Sequence, residues 1–399
     1  MYRAGQEEID EVTKVIRAKQ WFRYGEPATG HLQEVDRFEA EWAEMMGVKY
    51  ALLHCGGGTA SLTCALAGAG IGPGDEVIVP AYTWMATATA VLTVGAIPVL
   101  ADINETLSLD PDDFERKIGP HTRAVIPVHM AGRPADLNRI LAVARKQGIK
   151  VIEDSCQAIG GSYRGKRTGS WGDAGAYSFN MFKIISSGGE GGCLVTNDRR
   201  LYEIAYAYHD SGTSFRPRAC EFSIPVFVAQ QYRADEVTGA LARIQMQRLD
   251  KIISDLRRIR QRLETALAGV TERLLAPNND KDGDCAVMVA LQFKNESAAR
   301  QFATAPEVNG KVLIDMGKHV YTKWEPLRMK RISHHPDMNP FNFAKNQGLR
   351  IDYSDEVCSR TLDILRRSVY VPLDPDWTEA MIAAKSAALV SAAKSLKSV

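Results

Sequence analysis

From Lys49 onward, short apolar runs alternate with stretches whose apolar residues recur at helical spacing. The runs at residues 50–54, 76–80, 97–100, 124–128 and 150–153 are nearly continuous in Val, Ile and Leu. Strands of that kind are buried on both faces, which predicts a mostly parallel sheet covered by helices. In such sheets ligands bind beyond the carboxyl ends of the strands, and Asp154 stands at one of those ends. Before the first run, Ile9, Val12, Val15 and Ile16 predict an N-terminal helix over residues 7–19, which the sequence at 23–27 breaks. After Thr196 the pattern changes. Residues 243–267 read as one long helix, with Ile244, Leu249, Ile252, Ile253, Leu256 and Ile259 on one side and arginines on the other. Residues 278–284 are polar and turn-rich, and 377–396 form an Ala-rich helix. The expected architecture is α/β: an N-terminal helix and arm over 1–25, a large domain over 26–255, and a smaller α+β C-terminal domain over 256–399.

Composition narrows the function classes. The chain has 399 residues, with 49 Lys+Arg against 48 Asp+Glu, so there is no basic excess of the kind that nucleic-acid binding uses. Seven cysteines are scattered without a C-x-x-C pair, which predicts free thiols in a reducing compartment. No run approaches a membrane span and the start lacks a signal-peptide core. A cytoplasmic protein is expected. No spacing of His, Cys or carboxylates points to a metal.

Two segments carry candidate chemistry. Glu153-Asp154-Ser155-Cys156-Gln157-Ala158 closes one apolar run, and Tyr177-Ser178-Phe179-Asn180-Met181-Phe182-Lys183 leads into Gly188-Gly189-Glu190-Gly191-Gly192. A lysine shortly after a serine, with an aspartate at the end of a preceding strand, is what pyridoxal phosphate chemistry requires. The amine binds the cofactor, the carboxylate keeps the pyridine nitrogen protonated, and the hydroxyl with nearby backbone amides holds the phosphate. Taken alone, Asp154 is a common strand-end cap and Lys183 a solvated lysine. Gly56-Gly57-Gly58-Thr59-Ala60-Ser61-Leu62 follows a strand and precedes a helix, where amides and a helix N-terminus suit a phosphate. No Gly-Lys-Ser/Thr follows, so this is not a Walker A loop, and a tight turn explains the glycines equally well.

In this order along one chain, these segments resemble the DegT/DnrJ/EryC1/StrS family of pyridoxal-phosphate-dependent sugar aminotransferases. The likeness runs from about Trp21 to the C-terminal helix and is tightest between Lys49 and Thr196. It implies the aspartate aminotransferase-like fold (PLP fold type I), with the cofactor pyridoxal 5′-phosphate held by the large domain and covalent to Lys183. Lys183 and Asp154 become catalytic, Gly58, Thr59 and Ser178 phosphate ligands, Trp84 the ring stacked on the cofactor, and Gln157 a neighbour of its phenolic oxygen. Gln231 stands where the family usually has an asparagine that reaches the phosphate of the neighbouring subunit's cofactor, which implies a homodimer with shared sites. The run from Lys183 to Glu190 is one residue longer than in the family. Members with histidine in place of the lysine are dehydratases, so Lys183 favours transamination.

The implied reaction moves an amino group from glutamate or glutamine to a keto or aldehyde carbon of a sugar, sugar acid or cyclitol. Val128-His129-Met130, residues 153–163 and Ser359-Arg360-Thr361-Leu362 are similar to aminotransferases that form 8-amino-3,8-dideoxy-octulosonate, which makes that acceptor a candidate. Residues 318–335 carry five basic residues against one acid, interleaved with Tyr321 and Trp324. They read either as a solvated loop or as cations facing a phosphate or carboxylate of the acceptor. A dehydratase-type enzyme and a catalytically silent regulatory or binding protein on the same fold are the alternatives.

Overall fold

The computed structural model describes residues 2–212, 221–225, 227–268, 270 and 274–396. Its strands are β1 (Tyr50–His54), β2 (Glu76–Pro80), β3 (Ile97–Ala101), β4 (Thr122–Val125), β5 (Lys150–Asp154), β6 (Ser162–Tyr163), β7 (Lys166–Arg167), β8 (Ala174–Ser178), β9 (Gly192–Thr196), β10 (Met288–Gln292), β11 (Lys311–Val312) and β12 (Ser368–Pro372). Seven of them form one sheet in the order β1-β9-β8-β5-β4-β2-β3. Neighbours from β8 to β3 are parallel, and β9 runs antiparallel to both β1 and β8. The expected mostly parallel sheet is present, with β8 and β9 added to the strands read from the sequence. The run at 124–128 is ladder only to Val125. Pro127 has no N–H to give, and Val128 rejoins as an isolated bridge to Asp154.

Helix Gly57–Gly68 is buried on nearly every side, which its small and apolar residues allow and for which the Ser61 and Thr63 hydroxyls bond to backbone carbonyls. It packs between the sheet and helix Arg199–His209, which fixes its N-terminus at the carboxyl ends of the strands. The long helix is Glu236–Ala268. It starts seven residues before the sequence expectation and runs unbroken through position 255, touching helices Gln6–Ala18, Glu34–Met46 and Glu379–Ser395 as well as β10. The second sheet, β10-β12-β11, lies in the C-terminal part.

Two local readings change. In helix Gln6–Ala18 the inward residues are Glu8, Glu11 and Val15, while Ile9 and Ile16 face outward. Glu8 accepts from Arg248 Nε at 2.7 Å and from Gln245 Nε2 at 2.8 Å, so polar contacts dock this helix. In the basic stretch, Tyr321 and Trp324 are fully buried. Trp324 Nε1 donates to the Lys318 carbonyl at 3.0 Å, and the Tyr321 hydroxyl donates to the Asp355 carbonyl at 2.6 Å. These aromatics are core residues that pin the segment's backbone. Among the described residues no helix is long and apolar enough to cross a membrane.

Candidate cofactor site

Asp154 ends β5 and is buried. Its backbone is set by two hydrogen bonds, Asp154 N to Pro127 O at 2.9 Å and His129 N to Asp154 O at 3.0 Å. The carboxylate accepts from Thr87 Oγ1 at 2.8 Å and from Cys156 N at 3.1 Å. Among the described residues no cation lies within salt-bridge distance of it. A buried carboxylate with two donors and no counter-charge is costly to maintain unless a further donor arrives.

The residue before it anchors the strand end. Glu153 is fully buried and accepts from Gly169 N, Trp171 N and Gly172 N at 2.6–2.7 Å, and from His129 Nε2 at 3.0 Å. His129 Nδ1 accepts from Ala135 N at 3.0 Å, so the ring carries its proton on Nε2. The turn after His129 includes Ala131 at φ +53, whose N–H donates to Gln157 Oε1 at 3.0 Å. Asp154 and Gln157 are therefore tied to one turn.

Opposite them, helix Gly57–Gly68 begins with no side-chain cap, which leaves first-turn N–H groups free for an acceptor. Gly57 has φ +65, a conformation that favours glycine. At Gly58 a Cβ would lie 2.6 Å from Cys156 Sγ and 3.1 Å from Ser178 Cβ. Only glycine lets the helix end approach Ser178 this closely. Burial, followed by the Asp154 charge, pushes the Cys156 thiol well up, so it stays protonated and fills space. Thr59 is exposed one residue further on.

Lys183 is half-exposed, its amide donating to Asn180 O at 2.9 Å, and its side chain has no hydrogen bond among the described residues. It follows Ser178 closely, and its charge acts on both Cys156 and His319. The longer loop after it folds back, with Glu190 accepting from Asn180 Nδ2 at 2.8 Å and lying beside Gly57. Trp84 is 41% exposed, with the His319 ring edge-on at 5.6 Å and Lys318 Nζ over it at 4.5 Å. Gln231 is exposed and bridges Asp210 through its backbone, its side chain bonding to nothing among the described residues.

The structure thus gathers Asp154, Gln157, Gly58, Ser178 and Lys183 at one end of the sheet, with Trp84 joined to them through Thr87 and His319. Thr87, Cys156 and His319 were not singled out in the sequence. Only the position of Thr87 one helical turn after Thr83 could have marked it, since the two hydroxyls bond at 2.8 Å. His319 is buried, and burial, then the Lys318 and Lys183 charges, push it down to about 4, so it is neutral at pH 7. These residues fit pyridoxal phosphate. Asp154 lacks the donor that a pyridinium N–H supplies, and the glycine-only contact of Gly58 with Ser178 leaves uncapped amides beside a hydroxyl for a phosphate.

Comparison with known proteins gives one consistent result. A family model described as the DegT/DnrJ/EryC1/StrS aminotransferase family matches residues 3–319. A GDP-perosamine synthase from Caulobacter vibrioides is 39% identical over 242 residues, 60% of this chain and 64% of that protein. A UDP-N-acetyl-3-dehydro-alpha-D-glucosamine 3-aminotransferase from Acidithiobacillus ferrooxidans is 47% identical over 164 residues, 41% of this chain and 44% of that protein. The chain thus spans between about half and two thirds of the length of the curated relatives it matches. Among solved structures, an aminotransferase from Psychrobacter cryohalolentis superposes with a TM-score of 0.80 at 26% identity, covering 99% of both chains. The fold is the aspartate aminotransferase-like one.

Proposed function

This chain belongs to the DegT/DnrJ/EryC1/StrS aminotransferase family, and on that premise we propose that it is a pyridoxal-phosphate-dependent aminotransferase delivering an amino group to a keto or aldehyde carbon of a sugar, sugar acid or cyclitol. The observation that carries this reading is the buried Asp154 carboxylate, without a counter-cation among the described residues, on the same end of the sheet as a Lys183 amine that has no hydrogen-bond partner among them.

Bound pyridoxal phosphate supplies an electron sink for the negative charge that develops on the carbon next to the substrate nitrogen. The protein's part is to hold and to move protons. Asp154, fixed by Thr87 and the Cys156 amide, accepts the ring N–H and keeps that proton in place. Gly58, Thr59 and Ser178 hold the phosphate through amides and a hydroxyl. Trp84 and Gln157 would help hold the ring, the first through its exposed aromatic face and the second from the turn that also fixes Asp154. Lys183 Nζ, without a competing side-chain partner among the described residues, would take and return the proton at the reacting carbon. Its placement decides which bond lies where it can be broken.

The amino donor is glutamate or glutamine, and 8-amino-3,8-dideoxy-octulosonate formation remains a candidate within the acceptor class. The exposed Gln231 side chain, without a hydrogen bond among the described residues, supports a homodimer in which it serves the partner's phosphate. A cytoplasmic setting agrees with six free cysteines among the described residues.

The test is an absorbance titration of the protein loaded with pyridoxal phosphate, with glutamate and glutamine in separate cuvettes. Conversion of the visible band by one donor supports transamination and identifies that donor. A protein that never takes up the cofactor overturns the proposal.

A further inference from the structure

Lys318 is the cation that the reading above leaves without a task. Its backbone is built in: its carbonyl accepts from the buried Trp324 Nε1 at 3.0 Å, and the next residue's carbonyl accepts from Thr83 N at 3.1 Å. Tyr321 N adds a bond to Ala81 O at 3.2 Å, so 319–321 lie alongside 81–83 like a short pair of strands. The side chain, by contrast, is exposed, and no carboxylate lies within 4 Å of it among the described residues. Its ammonium rests 4.5 Å from the centre of the Trp84 ring. His319, edge-on to the same ring, is buried and neutral, its Nδ1 without a partner among the described residues, and so offers no counter-charge.

The uncapped helix N-terminus and Ser178 are matched by a cofactor phosphate, Asp154 by a ring N–H, and Lys183 by the cofactor itself. The Lys318 ammonium, with no carboxylate partner among the described residues, is parked on an aromatic face from which an anion can draw it, because a cation–π contact at an exposed site is worth only about 0.5–1 kcal/mol. We propose that Lys318 is a specificity-determining residue that leaves the Trp84 ring to bind an anionic oxygen group, phosphate or carboxylate, of the amino acceptor. This rests on the aminotransferase reading for the word acceptor, while the anion site itself can be measured without turnover.

The experiment is calorimetric titration of the pyridoxal-phosphate-loaded protein with UDP, with inorganic pyrophosphate and with gluconate. Binding of the first two alone assigns a phosphorylated acceptor, and binding of gluconate alone a sugar acid. Lys318→Met should weaken the binding probe about tenfold, as expected for loss of a charge-assisted bond, and Lys318→Arg should restore most of it. Lys323→Met removes the same charge from a neighbouring exposed lysine and should leave binding within about twofold, since exposed charges act weakly at a distance. Tryptophan emission should change on binding, and that change should vanish in Trp84→Phe. Equal weakening by the two Met variants, no weakening by Lys318→Met, or no binding of any probe to the wild type overturns the proposal. A protein that binds an anion through Lys318 yet converts its cofactor with no donor would instead refute the aminotransferase reading alone.

Discussion

Thr87 Oγ1 donates to Asp154 Oδ2 at 2.8 Å while accepting from Thr83 Oγ1 at 2.8 Å. A helix one turn from Trp84 therefore holds the carboxylate by a relay of two hydroxyls. Thr87→Val keeps the shape and removes the donor. The expected result is a loss of about 1.5–3 kcal/mol in cofactor binding or folding, the usual value of a bond to a charged group. Equilibrium dialysis against pyridoxal phosphate, together with urea unfolding of the apoprotein, separates the two.

Gly58→Ala places a methyl 2.6 Å from Cys156 Sγ. Overpacking of this kind costs about 1–3 kcal/mol, and here it also pushes the helix N-terminus away from Ser178. Adding Cys156→Ala removes the sulfur and should recover part of both stability and cofactor affinity. Strictly additive effects in this double-mutant cycle would show that the two sites do not touch.

Lys183→Ala removes a half-exposed side chain that has no hydrogen bond among the described residues. Folding stability should stay within about 0.5 kcal/mol of the wild type, whereas turnover should fall at least about a hundredfold with loss of the proton-transfer group. Mass spectrometry after borohydride reduction should find the cofactor covalently attached in the wild type and absent from the variant. Retained turnover would remove Lys183 from the reaction.

Glu8 supplies a pH prediction. Burial works to raise this carboxyl, but Arg248, the Gly5 amide and Gln245 prevail and hold it at about 2, below its ordinary 4.5. A depressed carboxyl gives stability that is complete above the unfolded value and lost as pH falls through the folded one. The melting temperature should therefore drop between pH 4.5 and 2 more steeply in the wild type than in Glu8→Gln, which should already be less stable at pH 7. Parallel curves would mean that the Arg248 contact contributes nothing.

Much of the fold was legible because parallel strands buried on both faces leave continuous Val and Ile runs, as at β2 and β5. β8 was not. Its Ala174-Gly175-Ala176 is small because the Gly169 turn crosses it, a Cβ on Gly175 falling 2.0 Å from the Gly169 carbonyl, and small residues read as loop. The long helix was expected too late for a related reason. Gly239 weakens helix propensity, yet it is required where the helix crosses Glu34 and Val35, since a Cβ there would fall 2.6 Å from the Val35 amide nitrogen. Asp154, Ser178, Lys183 and Gly58, singled out through the family resemblance, come together at one end of the sheet, while Thr87 and His319 reach them through tertiary contacts that no local pattern records. Tyr321 and Trp324 show the converse: aromatic residues among cations look like a binding surface until packing turns them inward.

The clasp between 81–83 and 319–321 has a consequence for remodelling this protein. The Trp84 ring and the lysine that lies on it are mounted on a single small frame, although its two halves are encoded far apart. A transplanted 318–335 segment from a relative would carry its new side chains onto a roof cut for the old ones. Libraries aimed at new acceptors should therefore vary both halves together, and chimaeras joined anywhere between them should be expected to break the frame rather than exchange its preference.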